Sequence, residues 1–180
     1  MLTVKQSTNV YCLYGEVGRY PMKIARELIM IKYWLKLLNS NNKLIVNIYR
    51  MLCDDANDNT TYSGLNWAYH IKTLLQSIGL GNVWYEQRAN NVNFQNIKQR
   101  ILDIFKQSWY SNINNSSRLF HYSLHKQEFE IETYLICNID KKYQYVLSKY
   151  RLYSNNVSIE TGRYTNVERK DRLCIQCTIQ

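Results

Sequence analysis

RYPMKIARELIMIKYWLKLLNS, residues 19–40, decides the fold class. Ile24, Leu28, Ile31, Leu35 and Leu38 recur at alternating four- and three-residue spacing, which a helix gathers onto one face. Pro21 stands where a first-turn proline is tolerated, and the spacing predicts a helix over 21–39. Lys32 and Lys36 fall off the stripe, so this helix buries one face and shows a partly basic one.

The same period continues on the carboxy-terminal side. KLIVNIYRMLCDD predicts a helix over 43–53 with Ile45, Ile48, Tyr49 and Leu52 inward, followed by the polar loop ANDNTTYSG. A helix over 65–79 places Trp67, Ile71, Leu74, Leu75 and Ile78 on one face, with Gly79 or Gly81 to end it. One over 94–113 aligns Phe94, Ile97, Ile101, Ile104, Phe105 and Trp109. Three shorter helices are expected at 116–126, 129–139 and 141–154, the last burying Tyr143, Val146, Leu147 and Tyr150. Residues 1–19 read as an extended lead-in, with Gly15 and Gly18 bracketing a turn. From Val157 onward β-branched residues without a helical stripe read as extended. The expected fold class is therefore mainly α: an irregular multi-helix, thumb-like bundle (20–156) between a lead-in (1–19) and a basic extended tail (157–180).

Composition agrees with that class. One proline and six glycines in 180 residues suit long helices with few tight turns, and 46% hydrophobic residues suit a packed core. Lysine and arginine number 23 against 14 acids, a surplus that draws polyanions and puts nucleic acid first among partners. No apolar run is long enough to span a bilayer and no secretory leader is evident, so an intracellular place, nuclear or cytoplasmic, with reduced thiols is expected. Cys12, Cys53 and Cys137 stand alone among apolar residues and are expected to pack as small hydrophobes.

Catalytic motifs are missing: no phosphate-cradling glycine loop, no G-x-S-x-G and no H-E-x-x-H occurs. Asp54 and Asp55 form a pair of the kind that holds metal in polymerases, yet they end an amphipathic helix, and a solvated helix end is expected. His121 and His125 are one helical turn apart, but no third ligand is near them in sequence. Cys174 and Cys177 make a C-x-x-C. A redox role needs a following helix to stabilise the thiolate, whereas two ligands of a zinc site need only an extended lead-in. Before them, Lys141, Lys142, Lys149, Arg151, Arg163, Arg169, Lys170 and Arg172 alternate with tyrosines that include Tyr164. Cations contact phosphates and aromatic faces stack on unpaired bases, so this stretch is the candidate interface for RNA or single-stranded DNA.

Three stretches, VYCLYGEVGRYPMKI, IKQRILDIFKQSWYSNINNSSRLFHYSLHKQEFEIETYL and IETGRYTNVERKDRLCIQC, resemble the carboxy-terminal part of LINE-like, non-LTR retrotransposon polyproteins with endonuclease and reverse transcriptase activity. The resemblance implies a thumb-like helical region after the polymerase palm, then a zinc motif whose first two ligands match Cys174 and Cys177. It implies that the palm belongs before Met1 and the remaining ligands beyond Gln180, so a truncated copy with half a zinc site, RNA or single-stranded DNA as partner, and a palm encoded separately are expected. No catalytic role carries over to Asp54 or Asp55. A cellular helical adaptor that binds a protein is the alternative.

Overall fold

A computed structural model describes residues 4–5, 8–58, 66–88, 93–152, 154, 162 and 165–172. Among them the chain is mainly helical: α1 Val10–Val17, α2 Met22–Leu38, α3 Lys43–Asn57, α4 Trp67–Ser77, α5 Gly81–Glu86, α6 Phe94–Asn114, α7 Phe120–His125, α8 Thr133–Ile136 and α9 Lys141–Arg151. Short 3-10 turns occupy Ser117–Leu119 and Arg169–Asp171. The helices form two compact units, one of Tyr20–Ser108 and one of Met1–Arg19 with Trp109–Gln180.

In the Tyr20–Ser108 unit, Ile24, Ile31 and Trp34 of α2 meet Ile71 and Leu75 of α4 and Ile97 and Ile101 of α6 in one buried cluster. The α2 stripe is therefore the core face that its spacing implied, with Leu28, Leu35 and Leu38 packed at its margin. Trp34 stacks on Trp84 of α5 at 6.5 Å between ring centres. Its Nε1 donates to Tyr49 Oη at 2.7 Å, and that hydroxyl donates to Gln87 Oε1 at 2.7 Å. Large aromatic bodies can enter the core here because each polar tip finds a partner.

Asparagines start the helices. Asn42 accepts from Leu44 and Ile45 at the head of α3, and Asn66 accepts from Ala68 and Tyr69 at the head of α4. Asn66 also donates to the Leu52 carbonyl at 2.8 Å, fixing α4 to α3. Gly79, at φ 73°, closes α4 with Gly79 N–H on Gln76 and Leu80 N–H on Leu75, the left-handed helix stop.

Four expectations change in this unit. α3 continues to Asn57, placing Asp54 and Asp55 in its last turn. Its buried side runs through Tyr49 and Ala56, with Leu52 beside them, while Ile45 and Ile48 are exposed. Ile104 of α6 is exposed as well. For these three isoleucines the apolar arc is wider than the neighbouring helices cover, and periodicity alone does not say which margin stays wet. The short helix α5 was not expected at all.

The other unit corrects the lead-in: residues 10–17 are helical, not extended. Asn9 caps α1 by accepting from Tyr11 N–H at 2.8 Å, and Gly18, at φ 59°, ends it. Cys12, Gly15 and Glu16 are its buried residues, so the inward face contains a glycine and a carboxylate and shows no apolar stripe. Gly15 permits close packing, since a Cβ there would lie 2.6 Å from Trp109 Cζ2 and 2.8 Å from the Tyr122 hydroxyl. Trp109 Nε1 donates to the Tyr11 carbonyl at 2.9 Å, and Phe129 meets the Trp109 ring edge-on. Over 129–139 the helix shrinks to α8, because Ile131 instead pairs with Val17 as an isolated antiparallel bridge and Glu132 N–H donates to the Glu16 carbonyl. Cys137 is exposed rather than packed.

Candidate nucleic-acid interface

α9 is capped by Asp140, whose carboxylate accepts from Lys142 N–H at 3.0 Å, and carries Lys149 and Arg151 in its last turn. Asp140 before the first turn and the cations in the last suit the helix dipole, while Lys141 and Lys142 at its head oppose it. Its packing is the reverse of its hydrophobic pattern. Tyr143, Val146, Leu147 and Tyr150, the stripe expected inside, are all exposed, Tyr143 at 62% and Tyr150 at 65%. The inward line is Gln144, Ser148 and Arg151, at the four- and three-residue spacing of a helix face.

Hydrogen bonds explain why a polar line can face inward. Gln144 Nε2 donates to the Cys137 carbonyl at 3.2 Å, Ser148 Oγ donates to the Gln144 carbonyl at 2.8 Å, and Tyr134 Oη lies 3.0 Å from Ser148 Oγ. Arg151 Nε donates to Glu16 Oε1, and Arg151 Nη2 lies 2.9 Å from Glu132 Oε2 without the alignment of a hydrogen bond. Glu132 Oε1 accepts from Lys126 Nζ, which also donates to the Glu130 carbonyl. Tyr122 Oη reaches both Glu16 Oε2, at 3.2 Å, and the Cys12 carbonyl, at 3.1 Å. Two carboxylates thus meet two cations, and a buried charge set of this kind stands only when its members are paired.

Burial alone would lower the Arg151 pKa; the hydrogen bond and charge of Glu16, then Glu132, outweigh it and hold the guanidinium above its ordinary value. Burial, then the Glu16 charge, pushes the Cys12 thiol up to about 12 and raises the Tyr122 hydroxyl. Cys12 is a protonated, packed thiol rather than a nucleophile.

The outer surface of α9 therefore carries Lys141 and Lys142, both exposed, with Tyr143, Tyr145 and Tyr150 around them. Lys149 Nζ lies over the Tyr145 ring, 4.2 Å from its centre. Of the other candidates, Arg151 turns inward and is committed to carboxylates, which removes it from a surface site. Arg172 Nε donates to the Val167 carbonyl at 2.8 Å, and its side chain packs over Gly162. Lys170 is exposed and pairs with Glu168 at 2.9 Å. The Arg169 backbone belongs to the turn Arg169–Asp171. Arg163, Tyr164, Cys174 and Cys177 lie outside the described residues.

Among the described residues no three His, Cys, Asp or Glu side chains converge as a metal group. His121 is half-buried and His125 exposed on α7. No helix of the described residues is long and apolar enough to cross a membrane. Glu16, Lys126 and Glu132 were missed from sequence, because each is an isolated charge whose partner is distant or belongs to another element. The chain matches no protein-family model, no curated protein and no solved structure.

Proposed function

We propose that this chain is an accessory nucleic-acid-binding segment of a LINE-like, non-LTR reverse transcriptase polyprotein, contacting RNA or single-stranded DNA beside the polymerase palm. The observation that supports it is the outer face of α9, where Lys141, Lys142 and Lys149 alternate with outward tyrosines. Lysines neutralise phosphates while tyrosine rings accept unpaired bases, and a protein gains little from exposing such rings unless something stacks on them. The net charge of +9 supplies the long-range attraction. In this reading the palm supplies the polymerase chemistry, Cys174 and Cys177 belong to a zinc site, and the compartment is intracellular.

The test is binding of a labelled oligouridylate and a labelled single-stranded DNA to the full chain across a salt series. Affinity is expected to fall steeply with salt. Lys141→Ala, Lys142→Ala and Lys149→Ala together are expected to reduce the logarithmic salt slope by about 2. Unchanged affinity and slope in that triple variant sink the reading.

A second reading, a helical adaptor for a protein partner, is favoured by α3. Leu44, Ile48 and Met51 form an exposed apolar line one turn apart on a helix whose other side is buried. Binding to that face would persist in high salt, which separates it from strand binding.

A further inference from the structure

A groove of about 610 Å³ lies between α2 and α4, wholly within the Tyr20–Ser108 unit. Its volume is in the range of small-molecule sites, about 300–1,000 Å³. One wall is the α2 face of Lys23, Arg26, Glu27 and Met30; the other is the α4 face that runs from Trp67 to Ser77. We infer that this groove binds a phosphorylated nucleoside, with the base on Trp67 and the phosphate on Arg26 and Lys23.

The aromatic half comes first. Trp67 is half-buried and held edge-on by Tyr33 at 5.6 Å between ring centres, which fixes the indole before any ligand arrives. Met30 and Leu74, also half-buried, give the groove an apolar lining for a flat ring. Thr73 Oγ1 gives its proton to the Tyr69 and His70 carbonyls, at 3.0 and 3.1 Å, so toward the groove it offers acceptor lone pairs. A sugar hydroxyl or an exocyclic amine supplies the matching donor.

The charged half lies further along α2. The Tyr33 contact puts Trp67 beside the second half of that helix. From Met30, at 1.5 Å of rise per residue, Arg26 is about 6 Å away and Lys23 about 10 Å. Those separations suit a base at one end and the phosphates it carries at the other. Lys23 approaches Glu27 at 3.7 Å, so one cation of this wall is offset and Arg26 leaves it net positive. Lys23 also sits in the first turn of α2, which has no acid there and no side-chain cap. A cation at that pole is repelled by it, and a bound phosphate relieves the repulsion.

The site is separate from α9, and its chemistry is shared by a free nucleotide and by the 5′-phosphorylated end of a strand. The probes are ADP, adenosine, pyrophosphate, and a short oligodeoxyadenylate with and without a 5′-phosphate, each titrated calorimetrically against the full chain. ADP or the phosphorylated strand is expected to bind at least about tenfold more tightly than adenosine or pyrophosphate, because base and phosphate contacts add. ADP alone identifies a free nucleotide, and the phosphorylated strand alone identifies a strand end. Lys23→Ala with Arg26→Ala is expected to weaken that binding by about tenfold or more. Both side chains are exposed, so this variant keeps its fold, which its helical circular dichroism checks. Trp67→Leu is expected to remove the preference for a base while pyrophosphate binds as before. The α9 lysine triple variant is expected to bind ADP normally, so the two sites fail separately. No binding of either probe, or binding unchanged by Lys23→Ala with Arg26→Ala, overturns the inference.

Discussion

Arg151 on α9 and Glu16 on α1 form an ion pair across 135 positions of the chain, with the Glu16 side chain fully buried. Removing Arg151 leaves the Glu16 carboxylate buried without a cation, whereas removing Glu16 leaves Arg151 with Glu132. Arg151→Ala is expected to destabilise the protein by about 3–5 kcal/mol, and Glu16→Ala by less. Glu16→Ala with Arg151→Ala is expected to cost less than the two single changes summed, since it removes both charges. Urea unfolding of the four proteins measures this, and additive losses would show that the pair does not couple.

Two glycines hold α1 in place. Gly18 is left-handed, and a methyl on it would overlap the backbone of Glu130 and Ile131. Gly18→Ala is expected to cost about 3 kcal/mol or more, from backbone strain and displacement together. Gly15→Ala presses on Trp109 and Tyr122 side chains instead, and about 1–3 kcal/mol is expected. Thermal unfolding followed by tryptophan fluorescence ranks the two, and equal or negligible effects would contradict the packing.

Alkali is expected to weaken the fold. The Cys12 thiol rises from 9.0 to about 12 in the folded protein, so the folded form holds this proton longer than the unfolded form. Stability is complete below about pH 9 and falls as pH climbs toward 12, because unfolding then releases a proton. The raised Tyr122 and Tyr134 hydroxyls act with the same sign. Urea midpoints are expected to fall between about pH 8.5 and 10.5, and more shallowly in Cys12→Ala. A flat profile would argue against burial of these groups.

In the Tyr20–Ser108 unit, Tyr49→Phe removes the acceptor of the buried Trp34 N–H. A loss of about 1–3 kcal/mol is expected, although the change deletes a single oxygen. On α3, Met51→Gln on the exposed line is expected to shift stability by less than about 0.5 kcal/mol, whereas Leu75→Ala in the core costs about 2–5 kcal/mol. If Met51→Gln costs as much as Leu75→Ala, the exposed face of α3 is wrongly assigned.

The sequence was legible wherever apolar side chains do the packing. α2, α4 and the first part of α6 follow their stripes because isoleucine, leucine and tryptophan face one another there. Legibility failed where polar groups face inward. α1 buries Gly15 and Glu16, and α9 turns Gln144, Ser148 and Arg151 toward its partners, so the hydrophobic period points to the wrong face or to none. Such packing rests on pairings between distant residues, and local spacing contains no trace of them. For the candidate interface, the lysines and tyrosines of α9 could be read from composition, but the withdrawal of Arg151 into a salt bridge could not. The α2–α4 groove is not legible in the sequence, because its two walls are separated by α3 in the chain.

The division of the chain also imposes an order of events during synthesis. Residues 20–108 form an uninterrupted unit, whereas its companion draws α1 from before them and α7 to α9 from after them. A ribosome emits the chain from its amino terminus, and domains fold as units once they are out. α1 emerges first, yet Trp109, Tyr122 and Arg151, which it packs against, emerge last. The inserted unit thus matures while the earliest helix still waits, its buried carboxylate hydrated until the guanidinium arrives. A nascent chain arrested midway would bear one finished unit and an orphaned first segment, the form in which a chaperone would meet it.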